Sequence, residues 1–264
     1  MKRLILTSAV LLTIMGTASA QLRKVNNTAF QRGEKMIFKV YYDAALTGKV
    51  TAGIATFEVT DENKKIANRN TMRIVGVGET KGAFNYFFKV VDRYETFIDE
   101  ETLAPWIFIR RMNEGGYKIK HDVTFNQYKN IATTNKHPSV KTTPYIHDII
   151  SAFYFSRLND YTFAKIGQEY PLDFFLDDTV WNSKIKFVGR ETIKTSMGTF
   201  KCLKFKPSVL TGNVFKENYP MTLWVTDDKN KLPILAESGV LVGTVKLELI
   251  RCTGLKNPQT SKLN

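Results

Sequence analysis

The chain has 264 residues, of which 43% are hydrophobic, and 38 lysines and arginines against 25 aspartates and glutamates give it a formal net charge of +13. A chain of this length can bury a sizeable core, as one large domain or two small ones. Beyond the N-terminal region no apolar run approaches the length of a membrane-spanning helix, which excludes a helical membrane protein.

The N-terminal segment has the three parts of a Sec signal peptide. Lys2 and Arg3 form the basic start, residues 4–15 form a short apolar run, and an A-x-A-type cleavage site ends at Ala20. We expect cleavage near Ala20, which lowers the net charge from +13 to +11 and leaves residues 21–264 periplasmic or secreted.

The positive charge suggests an acidic partner, or else a merely solvated basic surface. Export argues against nucleic acid, so the partner classes that remain are an anionic lipid or an acidic glycan of the cell envelope. The sequence identifies no protein partner.

Strands dominate the first half of the mature chain. Met36, Phe38 and Val40 alternate with lysines, which predicts a strand with one apolar face. Residues 84–99 form the longest predicted strand, and a further strand covers residues 106–112. Short turns between such segments indicate antiparallel meanders.

Two opposite charges fall on the apolar faces of these strands. Strand parity places Asp92 and Arg110 inward, and buried charges occur mainly when they are paired. We hypothesise that Asp92 forms a buried ion pair with Arg110, or else with Arg157, and we interpret this pair as structural rather than catalytic. His121 also faces inward, which favours a hydrogen-bonded core histidine over a ligand.

One segment, residues 144–158, is predicted to be a helix. Thr143 suits the N-cap position and Pro144 suits the first helical turn. Apolar residues repeat at helical spacing from Ile146 to Leu158 and cover nearly the whole circumference, which is typical of a buried helix.

The fold class predicted from these elements is all-β with one central helix. We expect a strongly curved antiparallel sheet or an open β-barrel wrapped around the helix near 144–158. Residues 21–264 form a single β-rich domain in this interpretation, with two pseudo-repeated meanders (about 30–135 and 168–252) on either side of the helix. The acidic turn that begins at Asp99 and precedes Pro105 resembles the turn that begins at Asp228 and precedes Pro233.

The mature chain has two cysteines, Cys202 and Cys252. Strand parity places both on polar faces, and exposed thiols in an oxidising compartment tend to be paired. We therefore predict a disulfide between neighbouring strands. Neither cysteine has a histidine nearby in the sequence, so no metal site is expected.

The sequence contains none of the common catalytic motifs: no G-x-S-x-G, no H-E-x-x-H, no Walker A and no G-x-G-x-x-G. Its carboxylate clusters fall where turns are predicted. We therefore expect no catalytic residues and no cofactor, and a non-enzyme is favoured.

Several stretches together carry a family resemblance: residues 30–42, 91–99, 114–117, 148–154, 198–207 and 223–233. The set resembles the exported bacterial family catalogued as domain of unknown function 3108, over about residues 30–252. The family has no established activity, so the resemblance implies a mostly β envelope protein and no catalytic residues. More distantly, the pattern is similar to lipoprotein-carrier-like open barrels, in which a curved sheet and a helix shelter acyl chains.

The leading functional expectation is non-enzymatic binding of a lipid-like or amphiphilic envelope molecule in a hollow of the curved sheet. The alternative is an interaction or assembly protein of the envelope with a fully packed core, and the third possibility is a hydrolase acting on envelope polymers. The residues expected to contact a ligand are Trp106, Arg110, Phe153, Tyr154, Phe155 and Arg157.

Overall fold

A computed structural model describes residues 21–45, 48–208, 221–240 and 243–264. The predicted signal peptide, residues 1–20, lies outside the described residues. The strands of the first half are β1 (Lys35–Ala44), β2 (Gly48–Ile66), β3 (Arg69–Thr80), β4 (Val91–Asp99), β5 (Pro105–Glu114), β6 (Tyr117–Asn126), β7 (Ile131–Thr134) and β8 (Val140–Lys141). Those of the second half are β9 (Glu169–Pro171), β10 (Phe174–Leu176), β11 (Thr179–Trp181), β12 (Lys184–Thr195), β13 (Gly198–Pro207), β14 (Met221–Thr226), β15 (Pro233–Gly239) and β16 (Thr244–Thr253). The helices are α1 (Phe84–Phe87) and α2 (Ile149–Ser156).

Fourteen of these strands form one antiparallel sheet, in the order β8-β7-β6-β5-β4-β3-β2-β1-β16-β15-β14-β13-β12-β9. Strands β1–β8 form one meander and β12–β16 form a second, and the pairing of β1 with β16 joins the two. β9 pairs with β12 at the end of the second meander, and β10 and β11 form a separate two-stranded sheet. The sheet does not close within the described residues, because β8 and β9 stand at its two ends. The prediction of a mostly antiparallel β fold is therefore confirmed, whereas the internal repeat of the two meanders stays a prediction.

Helix α2 is shorter than predicted and starts later. Its N-cap is Asp148, whose side chain accepts hydrogen bonds from the backbone N–H groups of Ile150 and Ser151, while the Ser151 hydroxyl accepts from the backbone N–H of Asp148. Residues 143–148 do not join the helix, and Tyr145 has a positive φ of 57°. The reciprocal capping box therefore sets the start of the helix in place of Thr143 and Pro144.

Residues 84–99 are not one continuous strand. Phe84–Phe87 form the short helix α1, and β4 begins only at Val91. Thr80 and Val90 join the two ends of the β3–β4 connection. The backbone N–H of Thr80 donates to the carbonyl of Val90, and the Thr80 hydroxyl accepts from the backbone N–H of Val90. Apolar alternation over residues 84–99 predicts one strand, and aromatic residues favour strands, whereas residues 84–90 lie in the connection before β4.

Small residues of the sheet let α2 approach closely. The Phe57 ring on β2 lies across from Gly76 on β3 and 6.1 Å from the Phe153 ring of the helix. A Cβ on Gly76 would lie 2.9 Å from the Phe57 ring and 3.7 Å from Ile150. The sheet face that bears Phe57 therefore packs against the helix, and we call it the inner face.

We predict that Gly76→Ala lowers the free energy of unfolding by about 1–2 kcal/mol, because the added methyl group overpacks the contact with Phe57. Gly78→Ala is the matched control, since it lies two residues along the same strand and its Cβ would meet no atom within 4 Å. Urea unfolding of both variants measures the difference. Equal stability of the two variants would contradict the packing of α2 on Gly76.

Candidate functional site

A buried carboxylate fixes helix α2 against the sheet at its N-terminal end. The carboxylate of Asp148 accepts a hydrogen bond from Thr96 on β4 at 2.6 Å, in addition to its bonds within the cap. Burial raises the pKa of Asp148, although these hydrogen bonds act in the opposite direction. Beside it, Nδ1 of His147 lies 3.2 Å from the Ser151 hydroxyl, and its ring stacks on Phe155 at 4.6 Å.

An ion pair fixes the C-terminal end of α2. The guanidinium of Arg157 binds both carboxylate oxygens of Glu34, at 2.6 and 2.9 Å, and its Nε donates to the carbonyl of Asn230 at 2.9 Å. The Arg157 side chain is 2% exposed and that of Glu34 is 0% exposed. This bidentate geometry satisfies both charges inside the protein, as a buried ion pair requires.

An apolar groove of about 480 Å³ lies between α2 and the inner face of the second meander. One wall is a row of cross-strand neighbours on the inner face, and the other is formed by α2 and β10. The apolar residues that line the groove are Phe38, Phe57, Ile149, Ala152, Phe153, Tyr161, Leu172, Phe174, Leu176, Ile185, Phe205, Pro207, Met221, Leu223, Val225, Pro233, Ala236 and Leu247.

The register of the strands explains why the groove wall is continuous. Leu247 on β16 lies opposite Ala236 on β15, Ala236 lies opposite Leu223 on β14, and Leu223 lies opposite Phe205 on β13. Residues directly opposite each other in antiparallel strands point to the same face of the sheet. Alternation along each strand therefore builds one apolar surface from residues that are far apart in sequence.

Few polar side chains line this groove: Ser156, Arg157, Ser183, Ser208 and Lys231. Burial lowers the pKa of the Lys231 ammonium, against the attraction of Asp160 and Asp228. Those two carboxylates already accept hydrogen bonds, Asp160 from Thr162 and Asp228 from Ser261. Arg157 is held by Glu34, so the two cations of the groove differ in their environment.

Of the six residues expected to contact a ligand, the structure places Phe153 and Arg157 in the groove wall. The other four lie elsewhere. The indole of Trp106 is buried and donates to the Asp99 carboxylate at 3.0 Å, and the Tyr154 ring is fully buried against Phe30. Phe155 stacks on His147.

Arg110 is buried but pairs with Asp177 rather than with Asp92. Asp177 and its neighbour Asp178 form the turn of the β10–β11 hairpin, and Asp178 also lies 3.1 Å from the ring nitrogen Nε2 of His121. Arg110 and His121 of the sheet therefore bind this hairpin, which supplies Phe174 and Leu176 to the groove wall. The sequence placed both side chains inward but could not show that their partners follow the helix.

Asp92 is buried, and its carboxylate accepts from the backbone N–H of Asn113 at 3.0 Å. Burial, together with a hydrogen bond to Asp92, raises the pKa of the Glu114 carboxyl. Arg157, the second partner proposed for Asp92, is bound to Glu34 instead. The partners of Asp92 are therefore the carboxyl of Glu114 and the backbone N–H of Asn113, and not the guanidinium of Arg110 or Arg157.

The predicted disulfide is wrong, because Cys202 and Cys252 are both free thiols. Cys202 lies on β13 and Cys252 on β16, with β14 and β15 between them. Three strand spacings of about 4.8 Å exceed the Cα separation that a disulfide spans. Cys202 is buried, because residues 254–264 cross its strand, where the backbone N–H of Lys201 donates to the carbonyl of Ser261.

The part of the chain that the structure describes contains no group of three or more His, Cys, Asp or Glu side chains suited to a metal ion. Within the same ranges, neither helix has the length and apolar character needed to cross a membrane. A polar pocket of about 220 Å³ lies beside Arg69 and Asp99, at the turn that Asp99 organises.

The chain is similar to one protein family and to several solved structures. A family model described as "Protein of unknown function (DUF3108)" matches residues 37–250. No curated protein matches the chain significantly. Among solved structures, a β-barrel-like protein of domain of unknown function DUF1849 from Brucella abortus is similar, with a TM-score of 0.55 and 11% identity, over 84% of this chain and 97% of that one.

Two further structures have lower TM-scores. A protein described as exported, with a YmcC-like fold, from Bacteroides fragilis has a TM-score of 0.33 and 13% identity, over 85% of this chain and 97% of that one. A protein described as a lipoprotein, from Parabacteroides distasonis, has a TM-score of 0.36 and 12% identity, over 88% of this chain and 100% of that one.

The environment of His147 predicts a pH dependence of stability. Burial, with a smaller effect of the nearby Arg23 charge, lowers the pKa of His147 from 6.5 to about 3. Between these values the unfolded chain binds a proton that the folded chain does not. The free energy of unfolding therefore falls as the pH falls through this window, by up to about 1.4 kcal/mol per pH unit.

Denaturant unfolding between pH 7 and pH 4 measures this slope. His147→Phe keeps an aromatic ring against Phe155 and removes the proton, so its slope is expected to be smaller than that of the wild type by this amount. His137→Gln is the control, because His137 is an exposed histidine whose side chain is 58% accessible. An unchanged slope in His147→Phe would show that residue 147 is not buried in its neutral form.

Proposed function

We propose that this chain, which belongs to the family described as "Protein of unknown function (DUF3108)", is a non-enzymatic envelope protein that binds an amphiphilic molecule. The apolar part of the ligand lies in the groove between α2 and the curved sheet. The observation that carries the proposal is the groove of about 480 Å³, whose lining is almost wholly apolar. Ligand sites in proteins have volumes of about 300–1,000 Å³ and are mostly apolar.

The shape of the groove favours an elongated ligand. Met221, Leu223 and Val225 alternate along β14 and all line the groove. The five residues from Met221 to Val225 span about 13 Å along the strand. An assembly protein with a fully packed core, the alternative function, would fill this space with its own side chains. The predicted signal peptide supports a place in the envelope.

Lys231 is suited to the polar end of the ligand. It lines the groove beyond Val225, in the turn between β14 and β15, next to the guanidinium of Arg157 that Glu34 already binds. An ammonium at the end of an apolar groove attracts a carboxylate or a phosphate more strongly than a neutral group, because little water screens the pair. The proposed ligand class is therefore an anionic amphiphile.

The groove itself is tested by Ala236→Trp, which places an indole among Leu223 and Leu247. We expect the wild type to bind lauric acid at one site, and the affinity of this variant to fall by about tenfold or more, because the ring occupies the ligand volume. Native mass spectrometry and displacement of a fluorescent fatty acid measure binding. Glu237→Trp is the matched control, since it puts the same ring on the opposite face of β15, where Glu237 pairs with Lys246.

Thermal melting shows that both tryptophan variants are folded before binding is compared. Equal binding by Ala236→Trp and Glu237→Trp would contradict a ligand site in the groove. No binding of lauric acid or of dodecanol by the wild type would count against the proposed function as a whole.

The role of Lys231 is tested by comparing lauric acid with dodecanol, its uncharged counterpart. Lys231→Met keeps most of the side-chain volume, so we expect about a tenfold loss of affinity for the acid and little change for the alcohol. Lys229→Met, a neighbouring lysine outside the groove lining, is the control. Equal losses for the acid and the alcohol would show that Lys231 contributes packing rather than charge.

A further inference from the structure

A group of solvent-exposed apolar side chains lies at one end of the sheet. Tyr86 is 91% exposed, Phe87 is 87% exposed and Tyr117 is 67% exposed, and Phe88 and Val91 are about half exposed, at 46% and 44%. We call these five residues the aromatic tip. Scattered single apolar residues are ordinary on protein surfaces, whereas a contiguous group marks an interaction site.

Strand direction explains why these residues meet. The β3–β4 connection, which contains α1, and the β5–β6 hairpin lie at the same end of the sheet, because every second turn of a meander is at the same end. The backbone N–H of Gly115 donates to the carbonyl of Lys89 at 2.8 Å, which joins the two connections. The Phe88 ring lies on Gly115 so closely that a Cβ there would be 2.5 Å from the ring.

The backbone of the tip is held by further contacts while its outer rings stay in water. The Phe84 ring packs against Tyr42 on β1 at 6.0 Å, and the backbone N–H of Phe88 donates to the carbonyl of Phe84 at 3.0 Å. Phe84 therefore faces the sheet, whereas Tyr86 and Phe87, in the same single turn of α1, point into solvent. A fixed backbone that presents two aromatic rings to solvent needs a partner surface to be favourable.

The charges around the tip differ in exposure according to their sign. Four exposed lysines lie at this end of the sheet, on strand ends and connections: Lys49, Lys81, Lys89 and Lys118. Three carboxylates at the same end are half-buried: Asp43, Glu79 and Glu114. Glu79 is paired with Lys81 at 2.7 Å, and Glu114 is hydrogen-bonded to Asp92. A partner that approaches the tip therefore meets mainly aromatic rings and ammonium groups.

We propose that the aromatic tip docks the protein on the surface of an anionic lipid bilayer. Aromatic side chains are favoured at the level of lipid head groups, where one part of the ring contacts hydrocarbon and the rest contacts water. Lysines beside such residues are attracted to lipid phosphates, and the two contributions together give stable surface binding.

The position of the tip is consistent with this role. Pro207 and Met221 line one end of the groove. They lie at the same end of the sheet as the tip, because β13 ends and β14 begins there. Docking through the tip would bring that end of the groove towards the lipid. The inference rests on the tip alone, however, and does not require the groove to bind a ligand.

Co-sedimentation of the purified protein with vesicles tests the proposal. Vesicles of phosphatidylcholine alone are compared with vesicles that also contain phosphatidylglycerol. We expect the wild type to sediment with the anionic vesicles and to be released by added salt. The double variant Tyr86→Ala/Phe87→Ala is expected to lose about tenfold or more in its partition coefficient, because two rings no longer enter the interface.

The double variant Phe163→Ala/Ile166→Ala is the matched control. These two side chains are 89% and 79% exposed, in the loop that follows α2, so their removal takes away a similar apolar area from another part of the surface. A normal vesicle affinity of this control supports the assignment to the tip. Lys81→Gln/Lys89→Gln tests the charge, and its loss is expected to appear on anionic vesicles only.

Three results would overturn the proposal: no sedimentation of the wild type with anionic vesicles, unchanged sedimentation of Tyr86→Ala/Phe87→Ala, or an equal loss in the Phe163→Ala/Ile166→Ala control. The first two would leave a protein as the partner of the tip. All these outcomes are independent of the binding of lauric acid in the groove, so a failure here does not affect the proposed ligand site.

Discussion

The pairing of β1 with β16 is the constraint on which the rest of the structure depends. It joins the first and the last strand of the described chain, and on its other side β1 pairs with β2. Without this pairing the two meanders would be separate sheets with exposed edges. Phe38 on β1 and Leu247 on β16 lie on either side of it and belong to the same groove wall. Contacts between such distant segments carry a large loop-closure entropy, so the packing across the pairing must repay it.

The Arg157–Glu34 ion pair locks the helix to this pairing. Glu34 directly precedes β1, and Arg157 directly follows α2 and also binds the carbonyl of Asn230 in the β14–β15 turn. One guanidinium therefore connects the helix, the first strand and the second meander. Removing one partner of a buried pair costs about 3–5 kcal/mol, since the other charge is left uncompensated. Such a pair also places α2 in one position over the sheet, and this position defines the second wall of the groove.

Several predictions failed because they depended on which distant segment contacts a side chain. Parity correctly placed Asp92 and Arg110 inward, but the partner of Arg110 is on the β10–β11 hairpin, which no strand pattern could bring to it. Parity placed Cys202 on a face with lysines, and the C-terminal segment then covers that face. The start of α2 was detectable, because Asp148 and Ser151 have the spacing of a capping box, which outweighed the weaker signal of Thr143 and Pro144.

The sequence by itself determined the family, the mostly antiparallel β class and the identity of the inward residues on most strands, because alternation and turns are local properties that neighbouring residues encode. Only the tertiary structure decided the groove and the aromatic tip. The groove needs Leu247, Ala236 and Leu223 to lie side by side on three strands, which depends on register. The tip needs the β3–β4 connection and the β5–β6 hairpin to meet at one end of the sheet. Register, and the choice of which connections lie together at one end of the sheet, are set by pairing between distant segments. No local pattern in the chain contains that information.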